Sequence, residues 1–385
     1  MGDRKHIGVI FSYNENWVGG TYYLLNLISS FNSLTEISKP KVSIISYKKS
    51  DFEYVSKETG YPFLSFIKAR SEHSLLAKAV NAFSLRLFHK KWFKPQLKDT
   101  FDLILPNPSD PYFGAVDDYK KVYWIPDFQD VHLPEFFSID EHIKIKQRRI
   151  EQVYRAKKMI LSSQDCLKDY VENYPQSKAS VSVIPFSVTH PDFSEINFDT
   201  LANKYQIDRP YFYTPNQFWI HKNHRLLIEA VKEVVKTNPK ILLLLSGKES
   251  DYRHSNYIQE LKDLVEIFGL QSNIRFLGFL ERKVQLCLFK NAVAVIQPSR
   301  FEGWSTVVED AKVLRKFIIA SNLNVHAEQL LTYKNSISFD PLNVESLIIA
   351  ISQAETEVNT NPHFSYDYDR CRLKYANQIM QLIDN

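Results

Sequence analysis

Short apolar runs alternate with helical patterns almost from end to end of this chain, in two rounds. In the first round the apolar runs fall at residues 7–11, 42–45, 103–105, 122–125, 159–161 and 181–184, with helical spacing over 21–31 and 143–156. The second round sets runs at 211–214, 241–245, 274–277, 293–296 and 317–320 against helical patterns over 225–235, 258–268, 284–289 and 344–354. A continuous apolar strand is buried on both faces, and strands of that kind separated by helices build parallel sheets covered on either side. With 385 residues the chain is too long for one ordinary core. The expectation is an α/β protein of two doubly wound domains facing a central cleft, with ligand at the carboxyl ends of the strands. Residues 188–209 are mostly polar and hold no strand pattern, which makes them the expected linker. The N-terminal domain is then 1–190 and the C-terminal domain 205–362. A helix over about 363–385 could return to either domain, packing back on the first being one course.

Composition narrows the class. At 44% hydrophobic and 24% charged residues the chain reads as a soluble globular protein. No apolar run approaches the roughly 20 residues needed to span a bilayer. The opening MGDRKHIGVIFSYNENW has too short an apolar stretch, and no small-residue cleavage site, for a signal peptide. Cys166, Cys287 and Cys371 are scattered without metal spacing or a disulfide pattern, which fits a reducing cytoplasm. Glycine is scarce, no GxGxxG follows a strand and no GxxxxGK[ST] occurs, so a dinucleotide site or phosphate loop of the usual kind is not expected. The net charge of +4 is uneven. Arg70, Lys78, Arg86, Lys90, Lys91, Lys94 and Lys98 face a single acid, Glu72, and are interleaved with Leu75, Leu76, Val80, Phe83, Leu87, Phe88, Trp92 and Phe93. Residues 70–98 therefore read either as a basic helix lying on an anionic membrane surface or as a core-facing helix with a solvated basic side. No nucleic-acid motif accompanies the patch, and nucleic acid is not an expected partner.

The densest cluster of chemistry is PSRFEGWSTVVEDAKVLRK, residues 298–316. A buried strand precedes it, and Val307, Val308, Ala311 and Leu314 have the spacing of one helix face. A strand, a tight loop and a helix N-terminus form an anion-binding geometry, because the first helical N–H groups have no partner within the helix. Thr306 and Glu309 have the spacing of a capping box, and Asp310 complements the helix dipole. Glu302 has no capping role, and Gly303 beside it allows close backbone approach to a ligand.

EGWSTVVEDAK, preceded by QPS and followed by FIIASNLNVHAEQ, resembles the acidic motif of glycosyltransferase family 4, retaining enzymes of the GT-B fold with two Rossmann-like domains. The resemblance implies that Glu302 holds hydroxyls of the transferred sugar and that Asp310, where the family usually has Glu, takes the ribose, with Glu309 as the alternative. Loop amides of Gly303, Trp304, Ser305 and Thr306 would contact sugar and phosphate. TPNQFWIHKNHRLLIEAV, residues 214–231, resembles the segment that holds the donor diphosphate. Lys222 falls on the family's lysine, and Gln217 falls where an arginine is often found. NWVGGTYYLLNLI, residues 16–28, resembles the glycine-rich turn facing the donor phosphates, through Gly19 and Gly20. In YWIPDFQDVHLPEFF, residues 123–137, Pro126-Asp127 stands where many members have His-Asp, and His132 lies off the matching position. Asp127 is then either an orienting group for donor or acceptor hydroxyls or a turn former.

These patches together imply a retaining glycosyltransferase, with Glu302, Lys222 and Asp127 as its catalytic residues. It would move a hexose-type sugar from a nucleotide diphosphate sugar to a saccharide or lipid-linked glycan. The implied setting is bacterial O-antigen, lipopolysaccharide or capsule assembly, in the cytoplasm or on the inner face of the membrane. Lys222 and the amides of Ser305 and Thr306 would stabilise the leaving diphosphate, and no metal or other cofactor is required. The substitutions at 310, 217 and 126 leave a second reading, a degenerate GT-B domain that binds nucleotide-sugar or glycan without turnover.

Overall fold

The computed structural model describes residues 4–14, 18–69, 80, 83, 84, 100–106, 117–357 and 366–384. The basic stretch 70–98 falls outside the described residues apart from Val80, Phe83 and Ser84, as do residues 15–17 ahead of the paired glycines.

The first domain runs β1 (His6–Ile10), α1 (Val18–Ser30), β2 (Lys41–Ser46), α2 (Lys49–Thr59), β3 (Leu64–Lys68), β4 (Leu103–Leu105), β5 (Val122–Ile125), α3 (Gln129–His132), α4 (Ile139–Arg155), β6 (Lys158–Leu161), α5 (Gln164–Asn173) and β7 (Ser180–Val183). Its strands pair in parallel in the orders β3-β2-β1-β4 and β5-β6-β7. A single parallel bridge from Ile104 to Lys121 links the two groups. The second domain runs α6 (Phe198–Lys204), β8 (Phe212–Thr214), α7 (His224–Val234), β9 (Leu243–Leu245), α8 (Tyr257–Ile267), β10 (Ile274–Phe276), α9 (Arg282–Asn291), β11 (Ala294–Gln297), α10 (Thr306–Val313), β12 (Phe317–Ser321), α11 (Asn324–Leu330), β13 (Ser336–Phe339) and α12 (Val344–Glu357). It forms one parallel sheet in the order β10-β9-β8-β11-β12-β13.

Alternate residues of each second-domain strand feed two separate cores, as the period of a strand requires. Leu243, Leu245, Ile296 and Ile319 pack with Leu227, Val231, Leu347 and Ile351. Leu242, Leu244, Val295 and Ile318 pack with Leu288, Val308 and Ala311 on the other side. Each such fully buried side chain contributes roughly 1.5–3 kcal/mol. The two strands with no apolar run in the sequence, β3 and β13, each lie at one edge of their sheet. They are only half covered, so they carry polar residues such as Ser65, Ser336 and Ser338.

The segment read as a linker is not wholly irregular. It contains α6, whose Leu201 is buried with Tyr211 and Leu288 of the second domain. After α12 the chain returns. The last helix, α13 (Tyr368–Asp384), buries Tyr375, Ala376, Ile379 and Leu382 in the first-domain core against Ile28 of α1. The chain thus crosses between domains twice. In the second sheet the strand order reverses between β8 and β11, so the loops leaving these strands diverge and open a crevice at their carboxyl ends. That crevice faces the first domain. Among the described residues no helix is long and apolar enough to cross a membrane.

Candidate active site

The crevice is built from the loops after β8 and β11. Beyond β8 come Asn216, Gln217 and a short 3-10 turn, Ile220–Lys222, which ends at Asn223 with a φ of 61°. The Asn223 amide donates to the carbonyls of Pro298 (3.1 Å) and Pro341 (2.8 Å), which fixes the turn against the β11 loop. Lys222 is thereby aimed at Glu302, with Nζ 2.6 Å from Oε1. Gln297 Nε2 (2.7 Å) and Ser299 Oγ (2.6 Å) donate to the same oxygen, and Asn216 Nδ2 holds Gln297 in turn at 2.8 Å. No described residue hydrogen-bonds Oε2. Burial alone pushes the Glu302 carboxyl up, but Lys222, the nearby His326 and Ser299 outweigh it and hold the group below its usual range. The result is a fixed, ionised carboxylate with one oxygen to spare.

A second buried carboxylate, Asp310, lies on α10. Its Oδ1 receives Arg282 of α9 at 2.5 Å and His190 Nε2, from the crossing segment, at 2.8 Å. Here too burial raises the carboxyl and the cation, Arg282, with His190, lowers it further than burial lifts it. Glu309 behaves differently. It accepts from Lys312 (2.9 Å), Gln329 (2.9 Å) and Tyr366 (3.4 Å), turned away from the crevice. The expected capping box between Thr306 and Glu309 does not form. The helix begins one residue earlier, with Ser305 as N-cap and its Oγ accepting from the Val308 N–H at 3.4 Å. This shift leaves Glu309 beyond the capping position, where its carboxylate is taken up by Lys312, Gln329 and Tyr366 and lines neither compartment.

Two cavities adjoin these carboxylates. The larger, about 570 Å³, is walled by Asp310, Arg282, His190, Thr189, Gly247 and Lys248. The smaller, about 150 Å³, is walled by Glu302, Asp127, Gln129, Trp124, Trp219 and Phe301. Both are lined by Gly19, Asn216, Gln217, Lys222, Thr306 and Val307, so they are two compartments of one cleft with a waist at Lys222. Gly19, in the first turn of α1, faces that waist, and Gly20 is buried behind it. A Cβ on Gly247 would lie 2.1 Å from the Asn216 carbonyl oxygen, so only glycine lets the Asn216–Gln217 backbone cross there. Buried polar atoms at the waist and in the larger compartment, Gln217 Nε2 and Thr189 Oγ1, have no hydrogen-bond partner.

The opposite wall comes from the end of β5. Asp127 Oδ1 accepts the Gln129 N–H at 3.1 Å, so this residue forms a turn and also lines the smaller compartment. Burial raises its carboxyl, only partly opposed by that N–H and by Arg149. Arg149 clamps Asp130 through two bonds of 3.1 and 2.5 Å and reaches the Asp127 carbonyl at 3.5 Å.

The loop 302–306 divides its work differently from the expectation. A Cβ on Gly303 would lie 2.2 Å from the Pro126 carbonyl oxygen and 2.7 Å from Asp127 Cβ. The glycine therefore admits the first domain's backbone. Trp304 donates its indole N–H to the Phe186 carbonyl (3.1 Å) and packs on the first-domain core. The Ser305 N–H is already given to Gln329 Oε1 at 3.0 Å and is not free for a phosphate. All five residues of the loop, Glu302 to Thr306, still line the smaller compartment. His132 bonds Asp169 at 2.8 Å and stacks on Phe301 at 5.2 Å, which makes it a contact between domains. The sequence reading missed His190, Arg282, Gln297 and Gln129. Only Gln297, the last residue of an apolar strand at the motif's edge, carried a local signal.

Residues 197–367, which span the second domain, match the family model described as Glycosyl transferases group 1. The whole chain has the GT-B fold of glycosyltransferases of known structure. HepE of Anabaena, solved in complex with UDP and glucose, aligns with a TM-score of 0.64 at 16% identity, over 98% of this chain and 94% of that one. Sucrose-phosphate synthase of Thermosynechococcus elongatus aligns at 0.65 and 15%, over 99% and 95%. WaaG, a glycosyltransferase involved in lipopolysaccharide biosynthesis, aligns at 0.58 and 13%, over 98% and 95%. No curated protein matches the sequence.

Proposed function

We propose that the chain is a retaining glycosyltransferase that moves a hexose-type sugar from a nucleoside diphosphate donor to a hydroxyl of a saccharide or lipid-linked glycan. The observation that carries this reading is the two-compartment cleft with a carboxylate in each part and Lys222 at the waist. The nucleoside takes the larger compartment, with its ribose at Asp310, and the sugar takes the smaller one at Glu302. The diphosphate spans the waist, met by Lys222, Gln217, the first turn of α1 and the Thr306 N–H. As the bond from the sugar's anomeric carbon to the diphosphate breaks, its electron pair goes to the phosphate oxygen, and these groups stabilise that charge. The acceptor hydroxyl attacks from the leaving-group side and gives its proton to a diphosphate oxygen, so retention needs no protein nucleophile. Asp127 orients hydroxyls on the first-domain wall. Closure of Gly303 and Trp304 onto the first domain keeps water from the reacting carbon.

Protein cations fill the electrostatic role at the leaving group, so the reading has transfer proceed without a metal ion, and added EDTA should leave it unchanged. The three solved relatives share a fold and not an acceptor, so the acceptor class rests on the motif's resemblance and on WaaG's pathway, both of which favour surface-polysaccharide assembly. Work at the inner face of the membrane rests on residues 70–98 and predicts flotation with anionic liposomes at low salt. A thermal-shift panel of UDP, GDP, ADP, CMP, dTDP and their common sugars tests the donor site. Ligand at 100 times its dissociation constant stabilises by about 2.7 kcal/mol. Lys222→Ala should weaken the response to the cognate nucleotide, and Glu302→Ala the extra response to its sugar. Release of nucleoside diphosphate only when acceptor is added separates transfer from binding alone. No response to any ligand by folded protein would reject the reading.

A further inference from the structure

One wall of the sugar compartment is not accounted for by the motifs. Gln129 is only 8% exposed and lines the smaller cavity, yet its Nε2 has no hydrogen-bond partner. A buried amide nitrogen left unpaired is destabilising, and folded proteins retain few of them. The backbone that carries this side chain is fixed. The Gln129 N–H is fixed to Asp127 Oδ1 at 3.1 Å, and its carbonyl accepts the Leu133 N–H at 2.8 Å. The next residue, Asp130, is clamped by Arg149, which also reaches the Asp127 carbonyl. The turn is therefore rigid, and it presents an unsatisfied donor to the compartment that also holds Glu302.

We propose that Gln129 hydrogen-bonds the transferred sugar, its Nε2 donating to a hydroxyl oxygen on the first-domain side of the compartment, and that it thereby determines which sugars fit. The proposal rests on the glycosyltransferase reading above and deepens it. Glu302 accepts from sugar hydroxyls, whereas Gln129 supplies a donor, so the two walls test complementary features of one sugar. The missing partner is then the ligand itself.

The test compares nucleotides with nucleotide-sugars on the full chain by titration calorimetry, using UDP, GDP and ADP against UDP-glucose, UDP-galactose, GDP-mannose and ADP-glucose. Gln129→Leu should bind the cognate free nucleotide within about twofold of wild type and its sugar about tenfold more weakly, the loss of one neutral hydrogen bond. The ligand-free melting temperature should hold or rise, because the unpaired donor is gone. A merely structural glutamine would instead lower the melting temperature and weaken both ligand types together. Gln129→Met, of similar length and without a donor, repeats the comparison if the leucine variant folds poorly. Equal effects on nucleotide and nucleotide-sugar, or none on either, would overturn the proposal while leaving the donor site intact. Wild-type protein that binds no nucleotide would overturn the glycosyltransferase reading, and Gln129's role with it.

Discussion

Glu302 and Asp310 are both buried carboxylates kept ionised by a cation, but they are anchored to different parts of the molecule. Every partner of Glu302 belongs to the second domain: Lys222 beyond β8, Gln297 at the end of β11 and Ser299 in its loop. Asp310 takes Arg282 from the second domain and His190 from the crossing segment. That segment is itself fastened on two further sides. The His190 N–H donates to the Tyr368 hydroxyl at 3.2 Å, and the Thr189 N–H donates to Asn26 Oδ1 of α1 at 2.8 Å. Glu302 is therefore preset within one domain, while Asp310 is wired into the connection between domains.

The sharpest way to break this contrast is Lys222→Met. It leaves Glu302 buried without its counter-charge, which should cost about 3–5 kcal/mol of stability by urea unfolding at pH 7. Adding Glu302→Gln should recover most of that loss, and a double-mutant cycle showing no coupling would refute the pairing. His190→Ala removes one of two partners from Asp310 while Arg282 stays, so the effect should be smaller, roughly 1.5–3 kcal/mol. It should weaken free nucleotide and nucleotide-sugar alike, in contrast with Glu302→Ala, and a loss confined to the sugar form would contradict the division of the cleft.

The last effect concerns pH. Glu302 and Asp310 have lowered carboxyl pKa values, so their stabilisation is present above the ordinary values of 4.5 and 3.8 and is lost as the pH falls through the folded ones. His224 acts in the same direction at higher pH. Burial and the Lys222 charge push its pKa from 6.5 to about 3. The unfolded chain takes up a proton there that the folded one refuses, so stability drops between pH 6.5 and 3 by up to roughly 1.4 kcal/mol per unit. His224→Phe, which keeps the ring stacked 4.5 Å from Phe218, should reduce the stability lost between pH 7 and 5. An unchanged loss in that variant would remove His224 as a source of acid sensitivity.

Features that depend on residues close in sequence were legible before any coordinates. The central strands declare themselves because both faces are buried, and the Glu302 loop because its strand, glycine and helix are contiguous. The edge strands β3 and β13 are not legible, since one covered side leaves the mixed patterns Leu-Ser-Phe-Ile-Lys and Ser-Ile-Ser-Phe, which a loop can also carry. Ser305 and Thr306 are equally able to cap α10, and the choice is made from outside, by Gln329 taking the Ser305 N–H. Gly303 is legible as a point of close backbone approach, but the approach of the Pro126 backbone is not, because Pro126 lies in the other domain. His190 stands 120 positions from the carboxylate it serves, and no local pattern connects them. Gln129 was invisible for a different reason. What marks it is a hydrogen bond it lacks.

The two crossings of the chain lie side by side, joined where Tyr368 meets His190. A paired strap of this kind resists being stretched but permits a swing, so the domains form a lever with its fulcrum beside Asp310. For one angle of opening, displacement grows with distance from the fulcrum. In such a swing the His190–Asp310 contact would move least, and the contacts between domains on the Glu302 side, Arg300 with Glu135 at 3.3 Å and His132 stacked on Phe301, would move more. Under the proposed function, that lever would free the sugar side of the cleft while the nucleoside side is still held, so the glycosylated acceptor would leave before the nucleoside diphosphate.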